Sequence, residues 1–312
     1  MDSDVASRGA VRLGLIGAGR WGRRLLETIR SMKGVMLAFV ASGNPETASL
    51  VPEARVVGDW KTLLAADLDG VVIATPPACH GLMLRAFVAA RVPVMVEKPL
   101  CLDVAEAYEL RSLVASSGVP VLVDHTQLFH PGFTALQARA RDLGPVRFVR
   151  SEGMAFGPFR TDVTVLWDWA PHDIALCLDL LRAFPSRVSA IGNHASVALW
   201  LDFGAQTSAL ILNSNLSLEK RRRLTVHFDY HALVLDDRAA AKLVEHKLDL
   251  VPHSDHSPEP TDGVALPVPV GLPLTRAVSH FVQGLAGGDL TGFGLDLACD
   301  VIHILDTAQR LL

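Results

Sequence analysis

The stretch Val11-Arg-Leu-Gly-Leu-Ile-Gly17, continued by Ala18-Gly19-Arg20-Trp21-Gly22, decides the fold of this chain. Its first part is a short apolar run that ends in glycine, which predicts a buried strand. Apolar residues then recur at helical spacing from Trp21 to Met32, and a second apolar run covers 35–41. In this strand–turn–helix–strand context, a Gly-x-Gly-x-x-Gly turn lets a pyrophosphate approach the backbone at the helix N-terminus. The pattern therefore predicts a dinucleotide-binding unit.

The residues after the second strand bear on the choice between NAD and NADP. An acidic residue about 20 positions after the glycines would accept hydrogen bonds from the ribose hydroxyls of NAD. The sequence there is Ala41-Ser42-Gly43-Asn44, which has no carboxylate to repel a 2′-phosphate. We favour NADP; the alternative is NAD, with Ser42 and Asn44 as ordinary turn residues beside its ribose.

The alternation of strands and helices continues to residue 123. Strands are predicted over 70–77, 92–99 and 119–123, and helices over 80–90 and 105–116. Such alternation predicts a doubly wound parallel sheet, in which ligands bind outside the carboxyl ends of the strands. Five candidate site residues lie at or just after these ends: Thr75, Pro76, His80, Glu97 and Lys98.

Period-two patterns dominate the second half of the chain. They run from Val197 to Phe203 and from Leu224 to Tyr230, and they predict antiparallel strands with one face on a core. Helices are predicted from an N-cap at Thr275 and over 295–312. The basic run 220–223 is predicted to be a solvated hairpin or a subunit-contact patch, because it is short and lies beside a glutamate.

Several local patterns occur in a fixed order: Gly17-Ala-Gly-Arg-Trp-Gly22, Ala74-Thr-Pro-Pro77 with His80, Glu97-Lys-Pro-Leu100, Leu143-Gly-Pro-Val146, Asp168-Trp-Ala-Pro-His172, and 274–287 with His280 and Phe281. This set resembles the Gfo/Idh/MocA family, the glucose–fructose oxidoreductase and inositol dehydrogenase-like proteins. The resemblance covers nearly the whole chain. It implies an α/β protein: an N-terminal Rossmann domain, followed by an α/β domain with a large, mostly antiparallel open sheet.

The predicted division follows the last parallel strand. Residues 1–124 form the dinucleotide-binding domain, and residues 125–312 form the domain for substrate binding and oligomerisation. The predicted dinucleotide contacts are Gly17, Gly19, Arg20, Trp21, Gly22, Ser42, Gly43, Asn44, Thr75, Pro76, His80, Glu97 and Lys98. For His80, helix capping is the alternative.

Hydride transfer from an alcohol requires a base near the carbinol oxygen and a donor for the developing alkoxide. Lys98 is predicted to be desolvated at a strand end. Desolvation can lower the pKa of a lysine enough for it to act as such a donor or base. The resemblance implies that Lys98 orients the substrate and takes part in proton transfer, and that its bond to Pro99 is cis. The alternative is a structural turn pair with Glu97.

Asp168 and His172 are four residues apart, which predicts that they share one helix face. The resemblance places the catalytic histidine at His172 and a substrate-contacting aspartate at Asp168, which can fix the histidine tautomer. The sequence departs from the family pattern at Ala170, usually glycine, and at Ala175, often aspartate. Asp173, next to His172, either binds substrate or caps local backbone.

Two further residues are weaker candidates for substrate contact. His125 follows a strand end, and Trp169 flanks Asp168, where its ring could pack on a sugar face or belong to the core. No metal site is predicted: Asp168 and His172 lack a third ligand at suitable spacing, and the run 253–256 lies among prolines in a predicted loop.

Composition excludes other classes of protein. Of 312 residues, 50% are hydrophobic, and 29 Lys+Arg against 33 Asp+Glu leave a net charge of −4, so no overall field favours nucleic acid or anionic lipid. Four cysteines form no C-x-x-C pair, and no apolar run approaches the ~20 residues of a membrane span. We expect a cytoplasmic protein, and the resemblance implies a homodimer or homotetramer.

These observations predict an NAD(P)-dependent oxidoreductase. It would transfer a hydride between the nicotinamide and a secondary alcohol or ketone of a sugar, polyol or sugar derivative. The alternative is a dinucleotide- or sugar-responsive regulatory protein of the same fold without turnover.

Overall fold

The computed structural model describes residues 9–248, 262–285 and 295–312. Contacts divide the chain into two compact units, Met1–His125 with Leu274–Ile302 and Thr126–Pro273 with His303–Leu312. The assignment of dinucleotide and substrate binding to 1–124 and 125–312 stays a prediction.

A six-stranded parallel sheet forms the first unit, in the order β3-β2-β1-β4-β5-β6. Its strands are β1 (Val11–Ile16), β2 (Val35–Ala41), β3 (Arg55–Val57), β4 (Gly70–Ile73), β5 (Val94–Glu97) and β6 (Val121–Asp124). Every residue of β4, β5 and β6 is buried, as expected for parallel strands covered on both faces. The predicted doubly wound sheet is confirmed, and its order reverses between β1 and β4, where such sheets open a crevice for ligands.

An eight-stranded sheet forms the second unit, in the order β14-β13-β12-β11-β7-β10-β9-β8. Its strands are β7 (Phe148–Phe156), β8 (Arg187–Asn193), β9 (Ser196–Gly204), β10 (Thr207–Ser214), β11 (Leu216–His227), β12 (His231–Asp236), β13 (Leu243–Lys247) and β14 (Val264–Leu266). All neighbours are antiparallel except β7 and β10, which are parallel. The predicted mostly antiparallel sheet is confirmed.

Helices cover the strands of both units. They are α1 (Arg20–Ser31), α2 (Thr47–Leu50), α3 (His80–Ala89), α4 (Val104–Ser117), α5 (Pro131–Ala140), α6 (Val165–Asp168), α7 (Ala170–Leu181), α8 (Pro273–Leu285) and α9 (Leu295–Gln309). Helix α4 shows why such segments begin and end where they do. The Asp103 carboxylate accepts from the Glu106 N–H at 2.8 Å, and Gly118 ends the helix at φ +66°.

Three predictions about local structure are wrong. Thr275 lies inside α8, because Pro273 already starts that helix with the fixed φ that a first turn needs. Tyr230 is 65% exposed and lies in the turn between β11 and β12. The hairpin predicted for the basic run 220–223 is wrong, because the run lies within β11, where Arg221 pairs with Glu152 at 3.2 Å; the alternative of a subunit-contact patch stays a prediction.

Candidate active site

The glycine-rich turn after β1 has a separate physical need for each glycine. Gly17 has φ +95°, and a Cβ there would lie 2.6 Å from the Ala74 carbonyl oxygen. A Cβ on Gly22 would lie 2.0 Å from the Gly17 carbonyl oxygen, so this glycine lets α1 pack against the turn. Apart from its two chain neighbours, no atom of the described residues lies within 4 Å of a Cβ built on Gly19. The N-terminus of α1 has no acidic residue in its first turn and no side-chain cap, so its backbone N–H groups are available to an anion. The open space at Gly19 therefore fits a pyrophosphate.

An open cavity of about 400 Å³ lies beside this turn, lined by Ala18, Gly19, Arg20, Arg23, Ser42 and Asn44. The Ser42 hydroxyl is held in place, since it accepts from the Asn44 N–H at 3.1 Å and from the Thr47 hydroxyl at 2.8 Å. Among the residues that the structure describes, the lining thus contains two guanidinium groups and no carboxylate. Arg23 was not among the predicted dinucleotide contacts. It stands three residues after Arg20 on α1, and this helical spacing could have indicated that both side chains lie on one face.

His80 joins two turns at the carboxyl edge of the parallel sheet. Its ring is fully buried, with Nδ1 2.9 Å from the Pro99 carbonyl oxygen and Nε2 2.8 Å from that of Thr75. Burial lowers the His80 pKa, because desolvation disfavours the imidazolium. A buried ring offers no surface to a dinucleotide, so we expect His80 to act by fixing the turns that carry Thr75 and Lys98. The Lys98–Pro99 bond is cis, as the resemblance implied.

Glu97 is the centre of a buried cluster at the ends of β5 and β6. It is 6% exposed and accepts a hydrogen bond from the Trp21 indole N–H, and its partner in the strand register is Asp124, which is fully buried. Burial, and then the charge of Asp124, raise the pKa of Glu97 well above its usual range.

His125 follows Asp124 and is 1% exposed. Burial, assisted by the nearby charge of Lys98, lowers its pKa to about 3, so the ring is neutral near pH 7. Neither ring nitrogen has a hydrogen-bond partner among the described residues. The predicted contact between His125 and substrate stays a prediction.

Asp168 and His172 lie in two helices of the second unit. Asp168 is the last residue of α6, Trp169 separates the helices, and His172 is in the first turn of α7. The prediction of one continuous helix is wrong because Pro171 has no N–H for the carbonyl of Trp167, four residues earlier. All three side chains predicted here, at 168, 169 and 172, are half-buried, and so is Lys98 in the first unit.

Arg160 holds the Asp168 carboxylate. Its guanidinium donates to Asp168 at 2.9 Å and to both carboxylate oxygens of Asp162, at 2.9 and 2.5 Å. The sequence did not indicate this arginine, because the segment after β7 has no helical or strand periodicity from which side-chain contacts could be predicted.

Asp173 lies at the centre of a buried hydrogen-bonded network. Its carboxylate accepts from the Ser151 hydroxyl at 2.6 Å and the Asn213 amide at 2.7 Å, and it pairs with Arg222 at 3.2 Å. These partners belong to β7, β10 and β11, so Asp173 fixes the first turn of α7 to three strands. Both carboxylate oxygens are therefore engaged within the protein.

Metal sites and membrane-spanning helices would indicate other classes of function. Among residues 9–248, 262–285 and 295–312, no three His, Cys, Asp or Glu side chains are grouped so that they could hold a metal ion. The run 253–256 lies outside these ranges. None of the described helices combines the length and apolar character needed to cross a membrane.

Comparison with known proteins agrees with this architecture. The family described as "Oxidoreductase family, NAD-binding Rossmann fold", GFO_IDH_MocA, matches residues 11–125. UDP-N-acetylglucosamine 3-dehydrogenase of Acidithiobacillus ferrooxidans is 30% identical over 226 residues, covering 69% of this chain and 71% of that protein. Inositol 2-dehydrogenase of Rhizobium meliloti is 26% identical over 264 residues, 74% of each chain.

A solved structure extends the likeness to the whole chain. A protein of Magnetospirillum magnetotacticum MS-1, described as of the oxidoreductase class, superposes with a TM-score of 0.88 at 38% identity. The match covers 96% of this chain and 100% of that one. With the glycine-rich turn, the two sheets and these relatives in agreement, the chain belongs to the Gfo/Idh/MocA oxidoreductase family and is an enzyme of the dehydrogenase type.

Proposed function

We propose that this protein is an NADP(H)-dependent oxidoreductase that interconverts a secondary alcohol and a ketone on a sugar, a polyol or a sugar derivative. The observation that carries the proposal is the turn from Gly17 to Gly22, open before Gly19 and flanked by a cavity with two arginines. The relatives support the substrate class, because their names specify dehydrogenation of inositol and of UDP-N-acetylglucosamine.

The preference for NADP rests on the charges around the cavity. Arg20 and Arg23 supply positive charge, and Ser42 and Asn44 supply polar groups. The described part of the lining has no carboxylate to accept from a free 2′-hydroxyl. A guanidinium binds a phosphate by charge-assisted hydrogen bonds, which are stronger than hydrogen bonds between neutral groups. This arrangement favours a 2′-phosphate over a bare ribose.

Paired calorimetric titrations test this preference. We expect NADPH to bind at least about tenfold more tightly than NADH, and Arg23→Ala to remove most of the difference by weakening NADPH alone. Arg30→Ala is the matched control, because Arg30 is on the same helix but pairs with Glu53 at 2.6 Å, outside the cavity. Tighter binding of NADH by the wild-type protein would refute the preference.

The proton balance of the reaction requires a base and a donor, and we infer the residues for these roles from the family resemblance. A bound nicotinamide would supply the hydride acceptor, and oxidation of the carbinol carbon would then require the carbinol oxygen to lose its proton. His172 takes this proton as the acid/base, Lys98 stabilises the developing negative charge on the oxygen, and Asp168 orients His172 or the substrate. Reduction uses the same groups in reverse. Arg160 is a positioning residue, because it holds the Asp168 carboxylate.

Substitution separates catalysis from binding. Lys98→Met and His172→Ala should each lower turnover by about 10²–10⁴-fold and leave dinucleotide affinity nearly unchanged. Lys33→Met and His194→Ala are the controls, since both wild-type side chains are exposed. The assay follows nicotinamide absorbance over a panel of sugars, polyols and sugar nucleotides.

Two outcomes would contradict these assignments. Undiminished turnover in both variants would remove Lys98 and His172 from the mechanism. Dinucleotide binding by the wild-type protein without turnover of any panel member would favour the regulatory alternative.

A further inference from the structure

Two acidic side chains meet at the carboxyl edge of the parallel sheet, and the proposed mechanism uses neither. Glu97 ends β5, Asp124 ends β6, and the two residues are partners in the register of these strands. Both side chains are buried, at 6% and 0% exposed, and register partners of parallel strands project from the same face of the sheet, so the two carboxyl groups are neighbours shielded from water. Lys98 follows Glu97 directly in the chain and interacts electrostatically with it.

Two neighbouring carboxyl groups in a buried site are not expected to be ionised at the same time. Two neighbouring carboxylates repel each other strongly when water is excluded, and one proton shared between them removes one of the two charges and supplies the donor that a carboxylate lacks. The other groups that face Glu97 are the Trp21 indole, which donates to its Oε1, and the cation of Lys98. His125, the next residue after Asp124, is neutral near pH 7 and does not change this balance.

We propose that Glu97 and Asp124 share one proton and carry a single negative charge, and that this acid pair is a positioning element that keeps Lys98 cationic. The shared proton does not depend on the proposed function. The importance of Lys98 rests on the proposed function. One negative charge close to a half-buried lysine stabilises its ammonium form, which is the form that can stabilise an alkoxide.

Trp21 links the acid pair to the glycine-rich turn. Its backbone lies in the first turn of α1, within the glycine-rich stretch from Gly17 to Gly22, and its indole donates a hydrogen bond to Glu97. The hydrogen bond from Trp21 therefore connects the negative charge near Lys98 to the glycine-rich stretch that fits a pyrophosphate.

Infrared difference spectroscopy tests the shared proton without substrate. At neutral pH, the wild-type protein should show the C=O stretch of a protonated, buried carboxylic acid, shifted in D₂O. The band should disappear in Glu97→Gln and also in Asp124→Asn, because an amide supplies the donor and leaves the remaining acid ionised. It should persist in Glu27→Gln, a control at an exposed position. Absence of the band from the wild-type protein, or its persistence in either acid-pair variant, would refute proton sharing.

NMR of ¹⁵N-labelled lysine tests the effect on Lys98, with the signal assigned through Lys98→Arg. Each single amide variant keeps one negative charge, so the titration of Lys98 should stay close to that of the wild-type protein. The double variant Glu97→Gln/Asp124→Asn removes the charge, and the pKa of Lys98 should fall by about one to three units. An unchanged titration in the double variant, or an equal fall in the single variants, would refute the role of the pair.

These measurements are independent of turnover. If no substrate is found, the infrared band and the lysine titration still decide the inference. If both fail while Lys98→Met abolishes turnover, the proposed function stands and the acid pair is refuted.

Discussion

At the scale of single residues, burial decides which groups near the ends of β5 and β6 are charged. Glu97 and His125 lie close together, and desolvation is the largest cause of the pKa shift in both. It favours the neutral form in each case, which raises the pKa of the acid and lowers that of the histidine. At this edge of the sheet, burial therefore reduces the number of charged groups around Lys98.

The pKa of His125 predicts how stability depends on pH. The unfolded chain protonates this ring near 6.5 and the folded protein only near 3, so its contribution is full above pH 6.5 and is lost as pH falls toward 3. At pH 5 the loss is about 2 kcal/mol. His125→Asn should remove this loss, so the free energy of unfolding should fall less between pH 7 and pH 5 in the variant. Urea unfolding at both values measures it.

Two comparisons make that measurement specific to His125. The raised pKa of Glu97 acts in the opposite direction, since its contribution is full at low pH and is lost as pH rises through the folded pKa. The pH dependence must therefore be compared between variant and wild type. His194→Ala, at an exposed position, should behave like the wild-type protein. Equal losses in His125→Asn and the wild-type protein would show that His125 is not held neutral by burial.

His80 shows how far sequence reasoning reaches for one residue. Its position just after a strand end, where ligands approach, can be predicted because strand ends depend on the local sequence pattern. The sequence does not show that the ring turns inward to the carbonyls of Thr75 and Pro99. Pro99 is 19 positions away, and only the pairing of β4 with β5 brings the two turns together.

At the scale of elements, the first turn of α7 depends on the strands beneath it. Pro171 and the break at Trp169 leave this turn without a continuous helix before it. The hydrogen bonds of Asp173 to Ser151, Asn213 and Arg222 fix it instead. His172 stands in this turn, so the network also positions the proposed acid/base.

Substitution of Asp173 should therefore act mainly on stability. Asp173→Asn leaves Arg222 without its buried counter-charge, and we expect the free energy of unfolding to fall by about 2–4 kcal/mol. Turnover should fall through kcat, because His172 loses its support, while KM changes little. Urea unfolding and steady-state kinetics on the same preparation measure both.

Asp142→Asn is the matched control for that experiment. Asp142 pairs with Arg139 at 3.5 Å and its side chain is 68% exposed, so its loss should cost under about 1 kcal/mol. A large rise in KM for Asp173→Asn with unchanged stability would instead support direct substrate binding by Asp173.

At the scale of the whole molecule, each unit is built around one sheet, and the sequence predicted the two sheets unequally well. The parallel sheet follows from alternation of apolar runs with helical patterns, each readable within a short window. The second sheet was predicted as mostly antiparallel, but the parallel pairing of β7 with β10 was not. That pairing joins residues about 60 positions apart, and alternation of side chains is the same in parallel and antiparallel strands.

The sequence by itself determined the glycine-rich turn, the strands and most helices, and therefore the family, because these depend on the near neighbours of each residue. Only the tertiary structure decided that Arg23 joins Arg20 at the cavity, that Arg160 holds Asp168, and that Glu97 meets Asp124. The charge state of a group depends on its burial and on the charges around it, and packing sets both. The strands bring these side chains together from distant positions, so the chemistry of the site is a property of the folded chain.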